Sequence, residues 1–312
     1  MSMGQGSMSE RLPLCEARRG RRAHLPLKRK AVADGALSPP PSPHLRESWG
    51  GGARNEAPER INSAPPAAGN TPSQKHPASV GGGENQLDSA ALYRLMSWLT
   101  PAYPVGAYAY SGGIEWAVEA GDVRDTETLR SWLTTMIRHG SVSCDAVIFA
   151  NAHRAVANVD NKAIATIAEL AVALAGSKER FLESTSQGQA FMRITQAAWP
   201  TPALDRLVAV WDGPFAYPVV VAAACAGHGI AVVPALQALL HAAASNLISA
   251  SMRLVPLGQT DGQRVLAALE GVIVQTGERA LATGIDDIAT ATLRADMAGM
   301  RHETQHTRLF RS

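Results

Sequence analysis

Asp125-Thr126-Glu127-Thr128-Leu129-Arg130-Ser131-Trp132-Leu133-Thr134-Thr135-Met136-Ile137-Arg138-His139-Gly140 decides the fold class. Its apolar residues, Leu129, Trp132, Leu133, Met136 and Ile137, fall at i, i+3, i+4, i+7 and i+8, one stripe on one face of a helix. Asp125 or Thr126 can cap the start, because a short oxygen-bearing side chain accepts from the first free backbone N–H groups. Gly140 suits the end.

The same period runs outward in both directions. Leu236, Leu239, Leu240, Ala243, Leu247, Ala250 and Leu254 repeat it, with Pro234 near the first helical position. Thr260-Asp261-Gly262-Gln263 reads as a capping box, threonine capping and glutamine reaching back, ahead of Val265, Leu266, Leu269, Val272, Ile273 and Thr276. Further helices are expected near 88–99, 111–120, 145–157, 161–174, 178–198, 202–210 and 217–227. Alanine and leucine favour this state, and with aromatic residues at 5% the alternation of sheets is scarce. The expectation is an all-α, helical-bundle-like single domain of about ten helices.

That domain occupies 87–312. Residues 1–86 show no amphipathic period and carry Ser38-Pro39-Pro40-Pro41-Ser42-Pro43, Gly50-Gly51-Gly52 and Gly81-Gly82-Gly83, so a disordered Pro/Gly/Ser-rich basic extension is expected. They hold 12 Lys/Arg and 7 Asp/Glu, leaving 17 and 20 for the rest. The globular part is therefore slightly acidic and has no nucleic-acid footprint. The basic cluster around Arg18-Arg19-Gly20-Arg21-Arg22 reads as a solvated tail or leader, with a nucleic-acid arm as the rival reading. No apolar run follows those arginines, so a secretory signal is not expected. Cys15, Cys144 and Cys225 are odd in number and far apart, which fits a reducing compartment and a cytoplasmic setting.

Between Asp212 and Arg253 there is no Asp, Glu, Lys or Arg. Gly227-His228-Gly229 and Pro234 interrupt the run and its first apolar half is too short to span a bilayer. Two helices buried on most sides, centrally or at a subunit contact, are the expectation, with no membrane partner.

His302-Glu303-Thr304-Gln305-His306 matches the H-E-x-x-H of zinc peptidases, where two histidines bind the metal and the glutamate activates water. The extended pattern wants Gly at 309 and His at 312, and the chain has Leu309 and Ser312. A helical zinc metallopeptidase using His302, Glu303 and His306 stays as the alternative reading. No phosphate loop or G-x-S-x-G elbow occurs. Glu179, Arg180 and Glu183 read as a solvated helical face. No catalytic residue, metal site or cofactor is expected.

Three blocks carry a resemblance. They are Leu99-Thr100-Pro101-Ala102-Tyr103-Pro104-Val105-Gly106-Ala107-Tyr108-Ala109-Tyr110-Ser111-Gly112-Gly113-Ile114-Glu115-Trp116-Ala117-Val118-Glu119-Ala120-Gly121, then Arg253-Leu254-Val255-Pro256-Leu257-Gly258-Gln259, and last Met300-Arg301-His302-Glu303-Thr304-Gln305-His306-Thr307-Arg308-Leu309-Phe310-Arg311-Ser312. In order and spacing the chain from about Leu92 onward resembles the UreF family of urease accessory proteins, in which tyrosine usually stands where this chain has His306. The resemblance implies an all-α homodimer that assembles with UreD (also called UreH) and the GTPase UreG. That complex supports nickel insertion into apo-urease, and the UreF component is a non-catalytic adaptor. It nominates Tyr108, Tyr110, Glu115, Arg301, His302, Glu303, Arg308, Leu309 and Phe310 as partner-binding residues. Ser111 is expected to cap the helix behind the tyrosines. The Arg308–Arg311 end is expected to be mobile alone and to order on a partner, Phe310 anchoring and Arg308 pairing with a carboxylate.

Overall fold

A computed structural model describes residues 88–311; the expected extension over 1–86 lies outside them. Twelve α-helices and two 3₁₀ turns, with no strand, make up the described residues. In chain order they are α1 (Ser89–Trp98), the turn Ala107–Ala109, α2 (Ile114–Glu119), α3 (Thr126–His139), α4 (Ser141–Ala157), α5 (Asn161–Ala173) and α6 (Lys178–Ala198). There follow α7 (Pro202–Val210), α8 (Tyr217–Gly227), α9 (Val232–Ser251), α10 (Gln259–Ala268), α11 (Glu270–Ala282), the turn Ile285–Asp287 and α12 (Leu293–His302).

The stretch that sets the fold class forms α3 as expected. Asp125 Oδ1 accepts from the Thr128 amide at 2.9 Å, and Thr128 Oγ1 accepts from the Asp125 amide at 3.1 Å. Leu129, Leu133, Met136 and Ile137 are buried, Trp132 is half-buried, and the chain turns at Gly140 into α4. At the centre lies α8, in which every residue from Pro218 to Cys225 is buried between α4, α6 and α7. Gly188 on α6 lets α8 approach, since a Cβ there would overlap the Phe215 carbonyl oxygen. Trp98 closes this end of the core, edge-on to Phe191 and Trp199 with ring centroids 6.1 and 6.0 Å apart.

The charge-free stretch supplies α8 and α9, the core pair expected from it. Among the described residues α9 is the one helix long and apolar enough to cross a membrane. Its inner face is buried against α3, α4 and α11, the placement of a core helix.

Four local readings change. Gly258, not Thr260, precedes the first turn of α10, and Asp261 Oδ2 accepts from the Gly258 amide at 3.2 Å. The single helix expected there is two, because fully buried Leu269 sits at a joint where its N–H is shared between the Val265 and Leu266 carbonyls. Helix α12, of which the last block supplies only Met300, Arg301 and His302, was not among the expected helices because its apolar period is weak. It lies on α2 through a glycine pair: Gly113 has φ +82°, and a Cβ there would stand 2.7 Å from the Gly299 amide nitrogen. Gly113 thereby takes the cap position of α2 that was expected of Ser111, whose Oγ instead accepts from the Glu115 amide at 3.5 Å.

Candidate functional site

The short helix α2 turns Ile114, Glu115 and Ala117 inward, so a carboxylate enters the interior beside α12. From α6, Glu179 enters from the other side. Between them stands His302, the last residue of α12, with no solvent exposure; Glu115 and Glu179 are 7% and 5% exposed. The imidazole Nδ1 lies 2.7 Å from Glu179 Oε2, and Nε2 lies 3.0 Å from Glu115 Oε2. Two carboxylates are acceptors only, so both contacts are hydrogen bonds when both ring nitrogens donate.

The chain beyond α12 folds back over this triad. A turn at Glu303 and Thr304 reverses it, and Gln305 Nε2 donates to Glu119 Oε2 at 2.6 Å. Arg308 donates to Glu179 Oε1 at 2.9 Å. The amides of Leu309 and Phe310 donate to Glu115 at 2.6 and 2.9 Å, and the Arg311 amide donates to the Ala109 carbonyl at 2.8 Å. Phe310 is 4% exposed, its ring 4.3 Å beneath the Arg253 guanidinium, which also donates to the Tyr108 carbonyl at 2.9 Å. Burial would push the Glu115 carboxyl upward, but the Leu309 amide, His302 and the Phe310 amide outweigh it and hold it below the usual carboxylate range.

The nominated residues thus fall into two groups. Glu115, His302, Phe310 and Tyr110 are buried. Glu303, half-buried, accepts from the Lys178 amide at 2.8 Å and caps α6. Tyr108 (66% exposed), Leu309 (63%), Arg301 and Arg308 face outward. The composition of the last residues suggests an end that orders on a partner; in this structure it is seated on its own domain, because Glu115 and Glu179 supply its acceptors. Glu179 reads as solvated from its spacing and is instead one jaw of the clasp. Its sequence signal is weak: the last block carries Arg301, Arg308 and Arg311, with His302 and His306, against a single carboxylate side chain, Glu303. Arg253 could be found, since it opens the middle block.

The zinc-peptidase geometry is not formed. Helix α12 ends at His302, both nitrogens of that ring are engaged, Glu303 is turned to α6, and His306 lies exposed beyond the helix. Among the described residues no group of three or more His, Cys, Asp or Glu is placed to hold a metal ion.

A groove of about 1070 Å³ opens between α1, α6, α9 and α12. Its walls include Leu92 and Met96 of α1 and Gln237 and His241 of α9, and its floor holds Arg180 ion-paired to Asp145 and Glu183. Burial pushes the Glu183 carboxyl up against the pull of Arg180, and burial pushes the Cys144 thiol up to about 11, so that wall of the groove presents no ready nucleophile.

Fold and site together define an all-α protein whose C-terminal segment is locked over a buried carboxylate–imidazole–carboxylate triad. A family model for UreF matches residues 123–270. Over 224 residues the chain is 56% identical to the urease accessory protein UreF of Rhodopseudomonas palustris strain BisB18, covering 72% of this chain and 93% of that protein. It is 55% identical over 225 residues to the UreF of Bradyrhizobium diazoefficiens, again 72% and 93%, and 53% identical over 236 residues to that of R. palustris strain HaA2, 76% and 100%. The chain belongs to the UreF family of urease accessory proteins, and its role is in urease maturation rather than peptide hydrolysis.

Proposed function

We propose that this protein is a non-catalytic, cytoplasmic adaptor that joins a UreD/UreH-type protein and the GTPase UreG in the complex that delivers nickel to apo-urease. The observation that carries this reading is the clasp. It uses His302, Glu303 and one face of Arg308 to hold a shape, and what it presents outward is Tyr108, Leu309, Arg301 and the exposed part of Arg308. Aromatic and arginine side chains around an apolar centre are the composition of a protein interface. In this reading Glu115, His302, Glu303, Tyr110 and Phe310 hold that surface from beneath.

A homodimer is part of the proposal. Helix α9 carries no Asp, Glu, Lys or Arg, and exposed Leu92 and Met96 of α1 line the groove with it. An uncharged wall with exposed large apolar side chains suits a second copy of the same chain.

Co-purification with a UreD/UreH-type protein tests the adaptor reading. Deleting residues 301–312, or the double substitution Tyr108→Ala and Leu309→Ala, is expected to lower recovery of that partner about tenfold or more. Undiminished recovery with both variants refutes it.

A further inference from the structure

The clasp gathers arginines from distant parts of the chain, and the domain does not consume their charge. Arg253, just beyond α9, lays its guanidinium over the Phe310 ring at 4.3 Å and donates to the Tyr108 carbonyl at 2.9 Å and the Ser249 carbonyl at 3.3 Å. These acceptors are neutral, and Arg253 stays exposed with no ion pair among the described residues. Arg308 donates to Glu179 yet keeps 40% of its side chain in solvent. Arg311 is tied down by its backbone amide alone, on the Ala109 carbonyl, so its exposed side chain is free of the clasp. Tyr108 and Leu309 stand among these three cations, both largely exposed. The carboxylates nearby are turned elsewhere: Glu115 and Glu179 are buried beneath the segment, and Glu119 is held by Gln305. A cationic face with an apolar centre thus sits on a domain that is otherwise slightly acidic, with 17 Lys/Arg against 20 Asp/Glu.

We infer that this face docks on a partner protein whose own surface is a carboxylate-rich rim around an apolar recess, Tyr108 and Leu309 entering the recess while Arg253, Arg308 and Arg311 pair with the rim. This rests on the adaptor reading and adds to it the chemistry of the partner and two binding residues, Arg253 and Arg311. Guanidinium groups with no lysine among them suit carboxylates held through two parallel hydrogen bonds. The exposed tyrosine and leucine at the centre point to a protein rather than a nucleic acid, because phosphates would leave them uncovered. Arg253 then has two duties, supporting Phe310 from outside and meeting the rim.

The experiment is the association kinetics of the full-length protein with a UreD/UreH-type protein between about 20 and about 500 mM salt, a range over which exposed charges become screened. Opposite charges on the two faces predict an association rate constant falling about tenfold or more across that range. Arg311→Glu should lower the low-salt rate by about three- to tenfold and flatten the salt response, and Arg311→Lys should restore most of it. Hydrogen exchange of residues 303–311 shows whether the segment is still seated in Arg311→Glu; where it is not, the wild-type salt response decides alone. A salt-independent wild-type rate overturns the proposal, as does a seated Arg311→Glu that associates like the wild type. If Tyr108→Ala with Leu309→Ala still loses the partner in that case, the adaptor reading survives the failure. No binding by the wild type overturns both. Retention of duplex DNA or anionic vesicles that Arg311→Glu abolishes, with the protein partner unaffected, overturns this proposal alone.

Discussion

Glu115→Gln removes a charge and one acceptor atom from the centre of the clasp while keeping its shape. In the wild type one oxygen accepts from the Leu309 amide at 2.6 Å, and the other accepts from the Phe310 amide at 2.9 Å and His302 at 3.0 Å. A carboxamide has one oxygen. If that oxygen serves Phe310 and His302, the new NH₂ faces the Leu309 N–H. If it is flipped, the NH₂ faces both other donors. The better arrangement loses one backbone bond to a charged acceptor and weakens two more, about 2–3 kcal/mol together. At 1.4 kcal/mol per decade that is roughly a 30- to 100-fold shift toward the open segment. Hydrogen exchange near pH 6.5 should show residues 303–311 losing that much protection while the core peptides of α4 and α8 are unchanged. Equal protection of residues 303–311 in variant and wild type would refute the reasoning, because it would mean that Glu115 does not hold them.

Two further outcomes follow from the same geometry. Gly113→Ala combines a left-handed φ with a Cβ 2.7 Å from the Gly299 amide nitrogen, so it should cost about 2 kcal/mol or more and displace α12 from α2, read as a lower urea midpoint. Acid should also release the segment. The folded Glu115 carboxyl lies below its ordinary value of 4.5, so its stabilisation is fully present above that value and lost as pH falls through the lowered one. Exchange of residues 303–311 should therefore increase below pH of about 4, and Glu115→Gln should remove this step.

The fold was legible because helix burial writes a periodic pattern. Leu129, Leu133, Met136 and Ile137 announce α3, and the absence of charge from 213 to 252 announces the two central helices. The clasp was half legible. The last block is unusual enough to mark Arg301 through Phe310, yet nothing local says that Glu179, more than a hundred positions earlier, closes on His302. Glutamates at i and i+4 look the same on a solvated helix as on one facing a buried imidazole. Helix α12 was hidden for a related reason: its contact with α2 is made by Gly299, which contributes no apolar signal. The split at Leu269 depends on tertiary burial of a residue that also fits an uninterrupted stripe.

The central position of α8 has a consequence for what happens when the protein loses its structure. Val219-Val220-Val221 is a poor helix former on its own, so this segment is helical because its neighbours enclose it. Once they part, a long stretch without a single Asp, Glu, Lys or Arg is released into water, with Val219-Val220-Val221 inside it and none of the lysines and aspartates that keep strands from stacking. Heat denaturation should then end in precipitate rather than return, and the working lifetime of the protein is set by how seldom that enclosure opens.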